Sequence, residues 1–159
     1  GYEFTFNARL PGGATLFGGS SIDRTLNVTC DEPDNPNLDR FCDQRNTGVP
    51  YLKQFKFAAS YPLPWYGIRL GGTLQMYPGA LMGTDALVVP TLSEASLTVP
   101  LVPWRTEYMR RLNQLDVRAS KVFPIGTSRL EAQLEVFNAT NSDTGLSVLG
   151  TNFGTAAFQ

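Results

Sequence analysis

The chain has 159 residues, a formal net charge of −1, 42% apolar residues and only 17% charged ones, against about 25% charged in an average soluble domain. Near-neutral charge argues against a nucleic-acid partner, and the absence of histidine removes the commonest general base and metal ligand. No run of roughly 18 apolar residues occurs, which excludes a transmembrane helix and leaves a closed β-barrel as the only way of spanning a membrane.

In chain order, Tyr2, Phe4, Phe6 and Ala8 alternate with Glu3, Thr5, Asn7 and Arg9, the period-two pattern of a strand. A tight turn follows from Pro11 to Ala14. A second strand is predicted from about Thr15 to Thr29, with Ile22, Leu26 and Val28 against Asp23, Thr25 and Asn27. Cys30 and Cys42 then flank a polar stretch that lacks C-x-x-C spacing. They are read as a structural disulfide in an oxidising compartment. Within that stretch Asp31, Glu32, Asp34, Asn35 and Asp39 offer oxygen ligands suited to calcium, but without the EF-hand spacing or its glycine. A solvated, disulfide-tied loop is the plainer reading, and no metal or other cofactor is expected.

Phe55, Phe57, Ala59 and Tyr61 alternate with Gln54, Lys56, Ala58 and Ser60. After a short connection from Leu63 to Trp65, Ile68, Leu70, Gly72, Leu74 and Met76 alternate with Arg69, Gly71, Thr73 and Gln75. A long loop is predicted from Pro78 to Leu112. Its Trp104, Arg105 and Tyr108 are ligand-binding candidates, because aromatics and arginine favour interfaces; they serve equally as anchors at a membrane surface.

Leu115, Val117, Ala119 and Phe123 share one face of the next strand, opposite Asp116, Arg118 and Ser120. Lys121 interrupts the apolar face near the strand end, where a long side chain can snorkel. Leu130, Ala132, Leu134 and Val136 then alternate with Arg129, Glu131, Gln133 and Glu135. Ile125-Gly126-Thr127-Ser128 between them carries glycine at the first central position, the type II′ hairpin signature. Pairing Ile125 with Ser128 sets Ala119 opposite Leu134, Val117 opposite Val136 and Arg118 opposite Glu135. Apolar faces and opposite charges then coincide. A further long segment begins at Asn138.

Catalytic patterns are missing. Ser20, Ser21 and Ser128 lie in no G-x-S-x-G elbow and have no histidine to activate them. Gly12-Gly13 and Gly18-Gly19 lack the lysine and helix of a phosphate loop. Glu131 and Glu135 are separated by about 13 Å along a strand, too far to act as a carboxylate pair, and Arg118 is expected to neutralise one of them. The chain is not expected to be an enzyme.

Short turns therefore alternate with long loops, the layout of outer-membrane barrels. Strands of about 9–11 residues suffice to cross. Tyr61, Trp65 and Tyr66 at one end, and Tyr77, Trp104 and Tyr108 at the other, suit interfacial girdles. An antiparallel sandwich with one wet face has the same periodicity, so a secreted or surface module binding a carbohydrate or protein stays open.

Three ordered stretches carry a resemblance. They are Asp39-Arg40-Phe41-Cys42-Asp43-Gln44 with Pro50-Tyr51-Leu52-Lys53-Gln54-Phe55-Lys56 and Tyr61-Pro62-Leu63-Pro64; Glu107 through Val117 with Ser120-Lys121-Val122-Phe123; and Gln133-Leu134-Glu135-Val136-Phe137-Asn138-Ala139-Thr140-Asn141. In this order, from Phe17 onward, the chain resembles the closing third of TonB-dependent-receptor-like outer-membrane barrels, many of which carry an N-terminal carboxypeptidase-regulatory-like domain. The resemblance implies an all-β fold and a parent barrel of about 22 strands with a plugged lumen. It also implies TonB-driven uptake of a bulky, unnamed ligand across the bacterial outer membrane. The implied partners are outer-membrane lipid, the ligand, and the TonB complex through other parts of the parent. Residues 1–159 are expected to be a fragment of that barrel domain, with about six strands and no plug, so that they form an incomplete barrel unable to transport alone. A structural or adhesion barrel without TonB coupling shares the same strand pattern.

Overall fold

The computed structural model describes residues 1–31, 37–83, 85–88, 97–147 and 152–153. The fold is all-β and mostly antiparallel, and it divides into two compact units. Unit one comprises Gly1–Ile22, Lys53–Pro78 and Arg111–Asp143; unit two comprises Asp23–Leu52, Gly79–Arg110 and Thr144–Gln159.

Unit one is built on a six-stranded antiparallel sheet. Its strands are β1 (Tyr2–Arg9), β2 (Thr15–Asp23), β3 (Leu52–Pro62), β4 (Ile68–Tyr77), β9 (Leu112–Ile125) and β10 (Ser128–Val136), in that spatial order. Each strand follows its period-two pattern, because alternation sends one set of side chains to each side of the pleat. The β9–β10 hairpin has the expected register: Ile125 faces Ser128, Ala119 faces Leu134, Val117 faces Val136 and Arg118 faces Glu135. Gly126 has φ +60°, as the first central position of a type II′ turn requires.

Two details differ from the sequence expectation. The strand predicted from Thr15 to Thr29 ends at Asp23, since its partner β1 runs only to the Tyr2–Ile22 pair. The β3–β4 connection extends beyond Trp65, because Tyr66 and Gly67 take φ of 61° and 60° before the Leu63 N–H closes the hairpin on the Ile68 carbonyl at 2.8 Å.

The pairing sorts the faces across the whole sheet. Phe57 opposes Leu74, Leu74 opposes Leu115, Leu70 opposes Ala119, and Ala119 opposes Leu134. The Phe6 and Phe57 rings lie 5.9 Å apart, which places the apolar set of β1 on this same face. The other face carries Thr73 opposite Asp116, Gly71 opposite Arg118, and Arg118 opposite Glu135. Gly18 permits the close approach of β2 to β3, since a Cβ there would collide with the Lys56 carbonyl and the Phe57 ring.

Apart from Asp23 to Thr29, read as the end of a strand, unit two comprises segments read from sequence almost entirely as loops, and it contains short strands. β6 (Asp85–Val88) pairs with β7 (Leu97–Pro100) and, in parallel, with β11 (Asn152–Phe153). β5 (Leu81–Met82) pairs with β8 (Glu107–Tyr108). A Cys30–Cys42 disulfide, with Cα atoms 4.9 Å apart, ties the segment before it to the turns Leu38–Phe41 and Gln44–Asn46. Gln44, 4% exposed, holds Asn27 from both sides. Its Oε1 accepts from the Asn27 N–H at 2.9 Å, and its own N–H donates to the Asn27 carbonyl at 3.0 Å. Beside it the isolated bridge Val28–Asp43 forms. Val49 and Pro100 are the buried apolar residues of this unit among the described ones.

Candidate functional site

Unit one offers two surfaces rather than a core. Among the described residues, none of its large apolar side chains is buried, and Phe4 and Leu134 are 63% and 70% exposed. The apolar face is therefore uncovered over much of the sheet, with exposed side chains on β1 (Phe4), β3 (Tyr61), β4 (Leu70), β9 (Val117, Phe123) and β10 (Leu130, Leu134), while Leu16 and Ile22 of β2 are half-buried. At one end of this sheet Tyr61, Trp65 and Tyr66 are exposed around the β3–β4 turn. Lys121, the charge on the apolar face, lays its Nζ 4.9 Å from the centre of the Phe123 ring, so its ammonium sits on an aromatic face instead of standing alone.

The opposite face holds an ion-pair ladder. The Arg118 guanidinium lies 3.4 Å from a Glu135 carboxylate oxygen and 3.8 Å from one of Glu131. Arg118 thus serves both glutamates, where the sequence suggested one: the β9–β10 register sets it directly opposite Glu135, and its guanidinium also comes within 3.8 Å of Glu131, four residues back along β10. A groove of about 450 Å³ runs along this face, lined by Arg69, Arg118, Glu131 and Glu135 and flanked by Phe17 and Phe137. All three ladder side chains are partly exposed, so the pairs contribute little stability, roughly 0–1 kcal/mol each. Their arrangement makes this face a hydrated, charged wall.

Unit two contains the loop candidates. Arg105 and Tyr108 line one cavity of about 270 Å³ together with Asp23, Thr25, Val49, Pro50 and Leu52. Trp104 lines a neighbouring cavity of about 250 Å³ with Leu81, Met82 and Asp85, and Arg105 borders both. Arg105 has φ +62°, a left-handed conformation uncommon outside glycine and asparagine. Partial burial raises the Tyr108 hydroxyl above its ordinary pKa; the Arg105 charge lowers it and the Asp23 carboxylate raises it again. Both charges therefore act on the same phenol. Asp23, Thr25 and Val49 carried no signal in the sequence, because they reach the cavity from segments distant from Arg105 in the chain.

The disulfide-tied loop has its own electrostatic pin. Asp43 accepts from the Arg45 backbone N–H at 3.0 Å and from its guanidinium at 2.9 and 2.7 Å. The Arg45 side-chain hydrogen bonds, then the backbone one, lower the Asp43 pKa to about 2. Nearby, Arg24 stacks its guanidinium 4.6 Å from the centre of the Tyr51 ring. Of the calcium candidates, Glu32, Asp34 and Asn35 lie outside the described residues, and no cluster of metal-ligating side chains occurs among the described ones. No helix is long and apolar enough to cross a membrane among the described residues, which says nothing of strands. Comparison with models of known families, with curated proteins and with solved structures finds no match to this chain.

Proposed function

We propose that the six-stranded sheet is part of the wall of a bacterial outer-membrane β-barrel, with its apolar face toward lipid and its charged face toward the lumen. The observation that carries this reading is the bare apolar face. Six strands spaced about 4.8 Å apart and about nine residues long cover roughly 850 Å². The largest apolar patch on a typical soluble monomer is about 300–600 Å². Water is a poor covering for such a face, whereas lipid stabilises it without further protein. The ion-pair ladder on the other side suits a polar lumen. Hairpins at 10–14, 62–68 and 125–128 all close the same end of an up-and-down sheet, as short periplasmic turns do. The ordered sequence stretches support a TonB-dependent-receptor-like parent that takes up a bulky ligand.

Spin labels at Phe57, Leu70, Val117 and Leu134, with controls at Gln75 and Gln133, test the orientation in the parent protein reconstituted in vesicles. The first four are expected to relax with a lipid-soluble quencher and the controls with a water-soluble one. Preferential quenching of the first four from water overturns the barrel; protection from both agents replaces it with a sandwich whose second sheet covers them. Dependence of ligand uptake on the proton-motive force separates a transporter from a structural or adhesion barrel.

A further inference from the structure

The cavity between Asp23 and Arg105 has a composition that selects its ligand. Two fixed charges of opposite sign line it, yet the two side chains form no ion pair with each other or with any other described residue. The Thr25 and Tyr108 side chains add hydroxyls, while Val49 and Pro50 supply an apolar wall. Val49 is 6% exposed, so that wall is backed by protein. The volume, about 270 Å³, lies just under the roughly 300–1,000 Å³ of sites for drug-sized molecules. It suits one amino-acid-sized molecule. A monoanion near Arg105 meets repulsion from Asp23, and a monocation near Asp23 meets it from Arg105. A molecule bearing both charges satisfies both groups, and charge-assisted hydrogen bonds of this kind are the strong ones. The left-handed backbone at Arg105 is the sort of local strain that persists where the surrounding structure holds a functional group in place.

We propose that this cavity binds a zwitterionic ligand with an apolar side chain, of the free amino acid class. The ligand carboxylate pairs with the Arg105 guanidinium and its ammonium with the Asp23 carboxylate. Tyr108 and Thr25 donate to the carboxylate, and the side chain rests on Val49 and Pro50. The cavity is built from unit-two residues alone, so the inference goes beyond the membrane reading and does not rest on it.

The chain has two tryptophans, Trp65 and Trp104, so Trp65→Phe leaves Trp104, next to Arg105, as the single reporter. The full-length variant is titrated with L-leucine, 4-methylpentanoate and 3-methylbutylamine while Trp104 emission is followed. Saturable binding of leucine is expected, with each singly charged analogue at least about tenfold weaker, equivalent to about 1.4 kcal/mol. Arg105→Asn, which tolerates the left-handed backbone, is expected to bring leucine down to the affinity of the amine. Asp23→Asn is expected to bring it down to that of the carboxylate. Absence of a saturable response to leucine, or equal binding of all three compounds by the protein with both charges intact, overturns the proposal. That comparison needs no cavity variant to fold. Success or failure here leaves the quenching result on the sheet unaffected, so the two readings fail separately.

Discussion

The two units stabilise backbone in opposite ways. In unit one, long strands pair in register and leave their apolar side chains outside. In unit two, strands of two to four residues pair briefly, and order comes from a covalent link, the Gln44 hydrogen bonds and a salt bridge. The first arrangement depends on what surrounds the sheet. The second carries its fasteners within itself. A sheet of the first kind suits a non-aqueous environment, and a segment of the second kind suits water at its border.

Removing the fasteners gives the largest contrast. Cys30→Ser with Cys42→Ser is expected to cost about 2–5 kcal/mol, confined to unit two. Hydrogen exchange checks this: the Thr29 and Gln44 amides, which bond to Cys42 and Asn27, lose protection while the β9–β10 amides keep theirs. Equal loss in both places merges the two regions into one cooperative unit and ends the contrast.

Changing the surroundings of the sheet ranks next. Leu134→Arg puts a charge on the apolar face and is expected to cost about 2–4 kcal/mol if that position lies at the bilayer midplane. Gln133→Arg, one residue along and on the other face, is expected to stay within about 0.5 kcal/mol. Urea unfolding in phospholipid vesicles measures both, and equal costs argue against lipid on one side only.

Acid gives the smallest and most local effect. The folded Asp43 carboxyl titrates at about 2 rather than 3.8, so its contribution is fully present above pH 4 and is lost as pH falls toward 2. The protection factor of the Arg45 amide is expected to fall across that window, and in Asp43→Asn the fall is absent. An unchanged protection factor down to pH 2 removes Asp43 as a fastener.

Where the sequence was legible, several local signals agreed. Gly126 marked the turn, alternation marked the faces, the Ile125–Ser128 pairing set the register, and Arg118 opposite Glu135 agreed with it. The end of β2 was not legible, because Leu26 and Val28 continue the apolar alternation after the partner strand has run out. The backbone there bonds to Gln44 instead, a partner 17 residues away with no periodic signature. The strands of unit two are too short for a period to register. Arg105 and Tyr108 stood out by residue type alone, whereas Asp23, which completes their cavity, read as an ordinary strand residue.

Among the described residues, no strand lies beside the outer edges of β1 and β10 in the spatial order of the sheet. In water such an edge costs little, because solvent satisfies its N–H and C=O groups. In hydrocarbon each unsatisfied group costs several kcal/mol. If this sheet lies in lipid, it cannot enter strand by strand and wait for its neighbours. Insertion and lateral closure then become a single kinetic event, and the barrier to assembly is set by how late the flanking strands arrive.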